Sequence, residues 1–213
     1  MLEDPHISNP NDDIGQVVVI GAGIGCAQTL ATVFSELPAD FPGTVLVVTN
    51  MGKGFTKVLV EKLNSISIMP VNEAVDGQML RRSRILIVPS DSIASITMFN
   101  NGSDTYTMEL ARSIHSVDYA DSLNVLLESA ASMFGIQSMA VILSGLGDAG
   151  LEGSKHIRNA GGFVLVQDEP SSICYDSPGA VCSAELAHHI SPLWQIATHI
   201  IAHVKGASHE NAA

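Results

Sequence analysis

Two glycine-rich stretches, three thiols and a scatter of imidazoles and hydroxyls are the parts of this 213-residue chain whose types and spacing admit chemistry. The first stretch reads Gly21-Ala-Gly23-Ile-Gly25-Cys26, straight after the run Val-Val-Val-Ile at 17–20 and straight before a segment of helical spacing. Gly21, Gly23 and the small Cys26 approximate the G-x-G-x-x-G/A loop, in which glycines let the backbone approach a pyrophosphate at a helix N-terminus. That chemistry also wants an acidic residue about 20 positions on, to accept the ribose hydroxyls. Thr49 and Asn50 stand there instead. The same glycines serve equally well as a ligand-free, tightly packed turn. The second stretch, Ser144-Gly-Leu-Gly-Asp-Ala-Gly-Leu-Glu-Gly153, also follows an apolar run and would expose backbone N–H groups to the same crevice.

Each reactive side chain has a bland reading beside the sharp one. Cys26, in the first turn of a helix, could carry a lowered pKa, yet a small thiol between helix and strand more often packs. Ser144 and Ser90 near strand ends are turn hydroxyls before they are nucleophiles. Asp148 reads as a solvated or capping carboxylate. His199 and His203 are spaced i, i+4 beside His188 and His189, a spacing that fits one metal. Without the Glu of a His-Glu-x-x-His motif, they read as the polar face opposite Leu193, Ile196, Ile200 and Val204, and no metal or cofactor is expected.

The elements that must position these loops alternate. Strands are predicted at 17–20, 44–48, 85–88, 139–143 and 163–166, and helices at 27–37, 55–63, 122–134 and 151–159. A hairpin is expected over 95–109, turning at Asn101-Gly102, and Pro178 and Pro192 suit the first turns of two closing helices. The fold class is α/β: a doubly wound, mostly parallel sheet with helices on both faces and an antiparallel hairpin insert. In such a sheet, ligands bind beyond the carboxyl ends of the strands, where both glycine stretches fall. Residues 1–15 form a loose acidic N-terminal segment in this reading, 16–205 the α/β domain, and 206–213 a loose tail.

Composition removes several classes. The chain carries 10 Lys plus Arg against 22 Asp plus Glu, a net charge of −12 that argues against nucleic-acid binding. The longest apolar run, 17–27, falls short of the roughly 18 residues a membrane span needs and contains three glycines. Three cysteines without a Cys-x-x-Cys pair, and a start lacking a signal peptide, point to reduced thiols in the cytoplasm.

Taken together, the phrases of the chain resemble the catalytic domain of the CheB-type protein-glutamate methylesterases, which demethylate the cytoplasmic helices of bacterial chemoreceptors. Val19-Ile-Gly-Ala-Gly23-Ile-Gly-Cys-Ala-Gln28 stands where the family has Val-Ile-Gly-Ala-Ser-Thr-Gly-Gly-Pro-Gln. Leu37-Pro-Ala-Asp-Phe-Pro42, Phe55-Thr56, Lys62-Leu-Asn64, Glu73-Ala-Val-Asp-Gly77, Leu126-Leu-Glu-Ser-Ala-Ala131 and Val166-Gln-Asp-Glu-Pro-Ser-Ser172 follow in family order. The departures fall on the chemistry. Carried over residue by residue, the family's nucleophilic Ser is Gly23, its His is Asn50 and its Asp is Ala149, so no catalytic residue is expected. The family's Met in the second loop is Leu146, its Gly-Met-Pro is Asp176-Ser-Pro178, and its Ser-Val-Asp is Ser122-Leu-Asn124.

The resemblance implies a catalytically inactive binding or regulatory domain of a chemotaxis-type pathway, without a receiver domain. Its partner would be chemoreceptor cytoplasmic helices or another chemotaxis signalling protein. The cleft would be lined by Gly21, Ala22, Ile24, Gly25, Cys26, Met51, Ser144, Gly145, Leu146, Gly147 and Asp148. Two alternatives stand beside it: an active methylesterase or deamidase using Cys26 or Ser144 as relocated nucleophile, and a dinucleotide-binding protein using the Gly21 loop.

Overall fold

A computed structural model describes residues 14–52, 54–99, 105–114 and 117–210. Seven parallel strands form one sheet in the order β3-β4-β2-β1-β7-β8-β9. The strands are β1 (Gln16–Ala22), β2 (Gly43–Thr49), β3 (Val71–Glu73), β4 (Arg84–Ile87), β7 (Ser138–Ile142), β8 (Phe163–Gln167) and β9 (His189–Ser191). The antiparallel pair β5 (Ser92–Met98) and β6 (Tyr106–Arg112) stands apart, with Ser95 opposite Glu109 as the expected hairpin requires. The Asn101-Gly102 turn lies outside the described residues. The helices are α1 (Cys26–Phe34), α2 (Thr56–Asn64), α3 (Tyr119–Phe134), α4 (Leu151–Asn159), α5 (Asp176–Ser183) and α6 (Ile196–Glu210).

Parallel strands covered on both faces read as unbroken apolar runs, and β1 and β2 are buried at every position. The pleat then divides them. Val17, Val19, Leu46 and Val48 join one core with Leu123, Leu126 and Leu127 of α3, Ile157 of α4, Val181 of α5 and the inner side of the hairpin. Val18, Ile20, Val45 and Val47 join the other, with Leu30 and Phe34 of α1, Leu59 and Leu63 of α2, and Ile196 and Ile200 of α6. Among the described residues, no helix is long and apolar enough to cross a membrane.

The elements depart from the sequence expectation at their ends, each time for a local reason. α3 begins three residues early because Asp118 caps it, accepting from the Ala120 and Asp121 N–H groups. α1 stops at Phe34, short of the expected residue 37. The edge strands β3 and β9, of three residues each, are too short to show a period and were not expected. Pro178 lies in the first turn of α5, whereas Pro192 precedes a short 3-10 turn (Leu193–Gln195) that leads into α6. α6 continues past Lys205, where the sequence suggested that the domain ends, to Glu210.

Two expectations follow. Gly153 lets α4 lie directly on α3, since a Cβ there would sit 2.5 Å from Leu127 Cβ. Gly153→Ala should therefore overpack the contact and lower stability by about 1–3 kcal/mol, as measured by urea unfolding.

The second concerns acid. His188 Nδ1 accepts the Val164 N–H at 3.0 Å, Phe163 stacks between His188 and His203, and His203 Nε2 is buried without a partner among the described residues. Burial lowers the pKa of both rings, with Arg158 adding to it at His188 and His188 adding at His203. A lowered folded pKa stabilises above the unfolded value of about 6.5 and is lost as pH falls below it. His203→Phe should thus flatten the fall of the unfolding midpoint between about pH 7 and 5 relative to the parent chain.

Candidate functional site

The strand order reverses direction at β1: the chain moves outward through β2 and returns to the opposite side at β7. This switch point opens a crevice at the carboxyl ends of β1 and β7. Both glycine stretches emerge into it and are tied together, the Gly23 N–H donating to the Ser144 carbonyl at 2.8 Å. A Cβ on Gly23 would lie 2.7 Å from Gly145 Cα and 3.1 Å from Ser144 O, so the close approach itself requires glycine. Gly23 does not adopt a positive φ; in this stretch only Gly25 does, at 73°, as N-cap of α1. Ile173 packs over Gly25, and a Cβ on Gly21 would strike Leu123 and come within 3.1 Å of Tyr119 Oη.

Asn50 follows β2 directly, and its N–H donates to Ala22 O at 3.3 Å, which holds the ends of β1 and β2 side by side. Asn50 lines a cavity of about 500 Å³ with Val117, Asp118, Tyr119, Ala120, Leu146, Gly147 and Asp148. A smaller cavity beside it, about 30 Å³, adds Met51 and Ser90. Ala149 lies elsewhere. It is 1 % exposed and belongs to the α3-side core, one residue below the wall formed by Leu146, Gly147 and Asp148.

The possible relocated nucleophiles are occupied or depressed in reactivity. Cys26 is buried, and burial raises its thiol pKa, the direction that disfavours thiolate. Ser144 Oγ donates to Cys174 O at 3.2 Å and accepts the Cys174 N–H at 2.9 Å, while the Ser144 N–H donates to Gln167 Oε1. That hydroxyl cross-links two loops. Asp148 is exposed, as a solvated carboxylate would be. Ala22 is fully buried, whereas Ile24, Gly25 and Leu146 reach the surface. The glycines of the first loop face protein: Gly21 faces α3, Gly23 faces the second loop and Gly25 faces Ile173. None of this geometry favours a phosphate cradle.

Sequence reasoning missed Tyr119. Tyr119, the first residue of α3, lines both cavities, and burial first, then Cys26, raises its hydroxyl pKa, so the hydroxyl stays neutral. The available signal was Asp118, a cap whose helix must start at the carboxyl edge of the sheet. Away from the cleft, His189 and His199 face each other, Nε2 to Nε2, at 3.1 Å. Among the described residues, no group of three His, Cys, Asp or Glu side chains is placed to hold a metal ion.

Comparison with known proteins assigns this architecture. The family model described as CheB methylesterase matches residues 18–200. A protein-glutamate methylesterase/protein-glutamine glutaminase of Myxococcus xanthus is 34 % identical over 191 residues, covering 90 % of this chain and 52 % of the relative. A second from that organism is 36 % identical over 177 residues, covering 83 % of this chain and 50 % of the relative. The chain thus spans about half the length of these curated relatives. The crystal structure of the Thermotoga maritima CheB methylesterase catalytic domain superposes with a TM-score of 0.82 at 30 % identity, covering 88 % of this chain and 98 % of that one. Shared topology, matched residues and identity together place the chain in the CheB methylesterase family.

Proposed function

We propose that this chain is a catalytically silent family member that uses its carboxyl-edge cleft to bind a signalling partner of a chemotaxis-type pathway, with chemoreceptor cytoplasmic helices as first candidate. One observation carries the reading. The three positions that correspond to the family's nucleophile, base and acid hold Gly23, Asn50 and Ala149, none of which attacks, takes a proton or orients an imidazole. Loss of the nucleophile alone costs on the order of 10⁶ in turnover in a serine hydrolase of another family. The cleft outlives the chemistry because its walls are set by the sheet and α3, and a groove binds whether or not it catalyses. Leu146, 53 % exposed, and Ile173, 66 % exposed, supply apolar rims for a docked segment.

Methanol release from a methylated receptor fragment tests the silent reading: the chain should be indistinguishable from a buffer blank, and turnover that is abolished by Cys26→Ala or Ser144→Ala would replace it with a relocated-nucleophile hydrolase. The reverse experiment is more demanding. Gly23→Ser, Asn50→His and Ala149→Asp together should give weak hydrolysis of an activated ester, above the parent and above each single change, because triad members act as a unit. The triple variant should also be less stable. The new Ser side chain meets Gly145, and Ala149→Asp places a carboxylate in the core, each costing about 1–3 kcal/mol. A folded triple variant with no activity would mean that these positions do not form a triad.

Binding has its own test. Leu146→Asp should weaken association with a receptor cytoplasmic fragment about tenfold or more, the scale of one lost apolar contact, as read by fluorescence anisotropy. Unchanged affinity would move the partner away from this rim.

A further inference from the structure

Four exposed apolar side chains stand on the carboxyl edge beside the Gly23 crevice: Ile24, Leu146, Ile173 and Trp194, the last 61 % exposed. They belong to four different loops, and hydrogen bonds pin those loops to one another. The Gly23 N–H donates to Ser144 O, the Gly145 N–H donates to Cys174 O at 3.1 Å, and the Leu193 N–H donates to Ser171 Oγ at 2.9 Å. Ile24, Leu146, Ile173 and Trp194 are the immediate sequence neighbours of Gly23, Gly145, Cys174 and Leu193. Ile173 also lies over Gly25, next to Ile24. The pinned loops therefore hold the four side chains along one stretch of edge, on the β7, β8 and β9 side of the crevice and away from Asn50. Apolar residues scattered singly over a surface are ordinary, whereas a row of them on fixed loops marks a place of contact.

Charge decides what fits over that row. The loops beyond β1, β7, β8 and β9, residues 23–25, 143–150, 168–175 and 192–195, contain Asp148, Asp168 and Glu169 and not one Lys or Arg. α5 opens on Asp176, and neither α1 nor α5 carries a cation. Asp148, Glu169 and Asp176 are exposed. Asp168 Oδ1 accepts the Ser171 N–H at 3.1 Å and Asp176 Oδ2 the Gly147 N–H at 3.5 Å, bonds that orient the carboxylates without neutralising them. A second copy presenting the same edge would set carboxylates against carboxylates. Anionic lipid and nucleic acid would be repelled for the same reason. A segment with an apolar stripe flanked by Lys or Arg meets both the row and its charge.

We propose that this edge is a docking surface for a basic amphipathic helix of the signalling partner, its apolar stripe lying on Ile24, Leu146, Ile173 and Trp194 and its flanking Lys or Arg side chains meeting Asp148, Glu169 and Asp176. The proposal rests on the reading of the carboxyl edge as a partner-binding groove, and it adds the chemistry the partner must carry. Trp194 provides a large apolar contact at small entropic cost, the usual character of an interface anchor. Apolar residues three and four apart on the incoming helix would follow the row. The carboxylates set its orientation and speed its approach more than they tighten it, and they turn away a partner face rich in glutamate.

Trp194 is the only tryptophan of the chain, so its emission reports on this surface directly. The probes are three capped, Trp-free peptides of about 18 residues, five helical turns: one with a Leu stripe and a Lys face, one with each Lys replaced by Glu, and one with each Leu replaced by Ala. The Leu/Lys peptide should shift the Trp194 emission to the blue saturably, and the other two should not. The double variant Asp148→Lys/Glu169→Lys should weaken that response about tenfold, as two attractions become repulsions, and Ile173→Ser should weaken it by about the same factor through lost apolar contact. An equal response to the Glu or the Ala peptide, or unchanged binding in both variants, would overturn the surface. So would a blue shift on concentrating the chain alone, which would show a second copy covering the row. Titration of a receptor cytoplasmic fragment separates this proposal from the reading it rests on. If the Leu/Lys peptide binds as expected and the fragment does not bind at all, the receptor reading falls and the docking surface stands. If the fragment binds parent and charge-reversed chains equally while the peptide does not bind, the docking surface falls and the cleft reading stands.

Discussion

The closeness of two backbones, at Gly23 and Gly145, is the constraint on which the rest of the site depends. A parallel sheet buried on both faces leaves its strand ends as the place where the chain can open to solvent, and the switch point between β1 and β7 is where two such ends lie together. The Gly23 N–H to Ser144 carbonyl bond closes that gap at the bottom, and a side chain there could be admitted only by a shift of the Gly145 backbone. Everything above it follows as wall: Asn50 from the next strand, Tyr119 from the helix that leans on Gly21, and Leu146, Gly147 and Asp148 from the returning loop. The crevice is therefore a property of the backbone rather than of any reactive group, and it persists whatever side chains surround it.

Much of this was legible because period and punctuation agree. The runs at 17–20 and 44–48 can only be doubly buried strands, glycines follow the first, and the helical spacing after each one leaves little freedom in topology. The family phrases add order along the chain, and the fold they imply is the one observed. What escaped were features with no local signature. β3 and β9 owe their existence to neighbours β4 and β8, not to their own three residues. Tyr119 becomes a wall residue only because α3 starts at Asp118 and Gly21 leaves room for it. The separation of Ala149 from the cavity wall is likewise a matter of one residue of loop path, which spacing does not encode.

The two faces of the sheet also carry different duties. The α1, α2 and α6 side is a continuous apolar layer in which Phe34, Leu59 and Ile200 are buried. The α3, α4 and α5 side carries in addition the hairpin, held through Ala94, Ile96, Met108 and Leu110 and through the Ile96 N–H donated to Ser129 Oγ. The hairpin shares no ladder with the main sheet, and its alignment is set by α3 on one side and by the 76–80 segment on the other, where Met108 exchanges backbone hydrogen bonds with Gly77 and Gln78 and the Leu110 N–H donates to Asp76 Oδ1.

The brevity of the two outer strands has a consequence for how molecules of this kind meet one another. An edge of unpaired amides is a template on which a stranger can add a strand and begin an aggregate. With three residues at β3 and three at β9, each edge offers too few consecutive donors and acceptors for an incoming peptide to register upon. The edge sequence at β9, His189-Ile190-Ser191, is not an extended apolar run either. The sheet can thus be apolar through its whole interior while remaining closed to β-augmentation, and recognition by main-chain pairing is directed away from its sides.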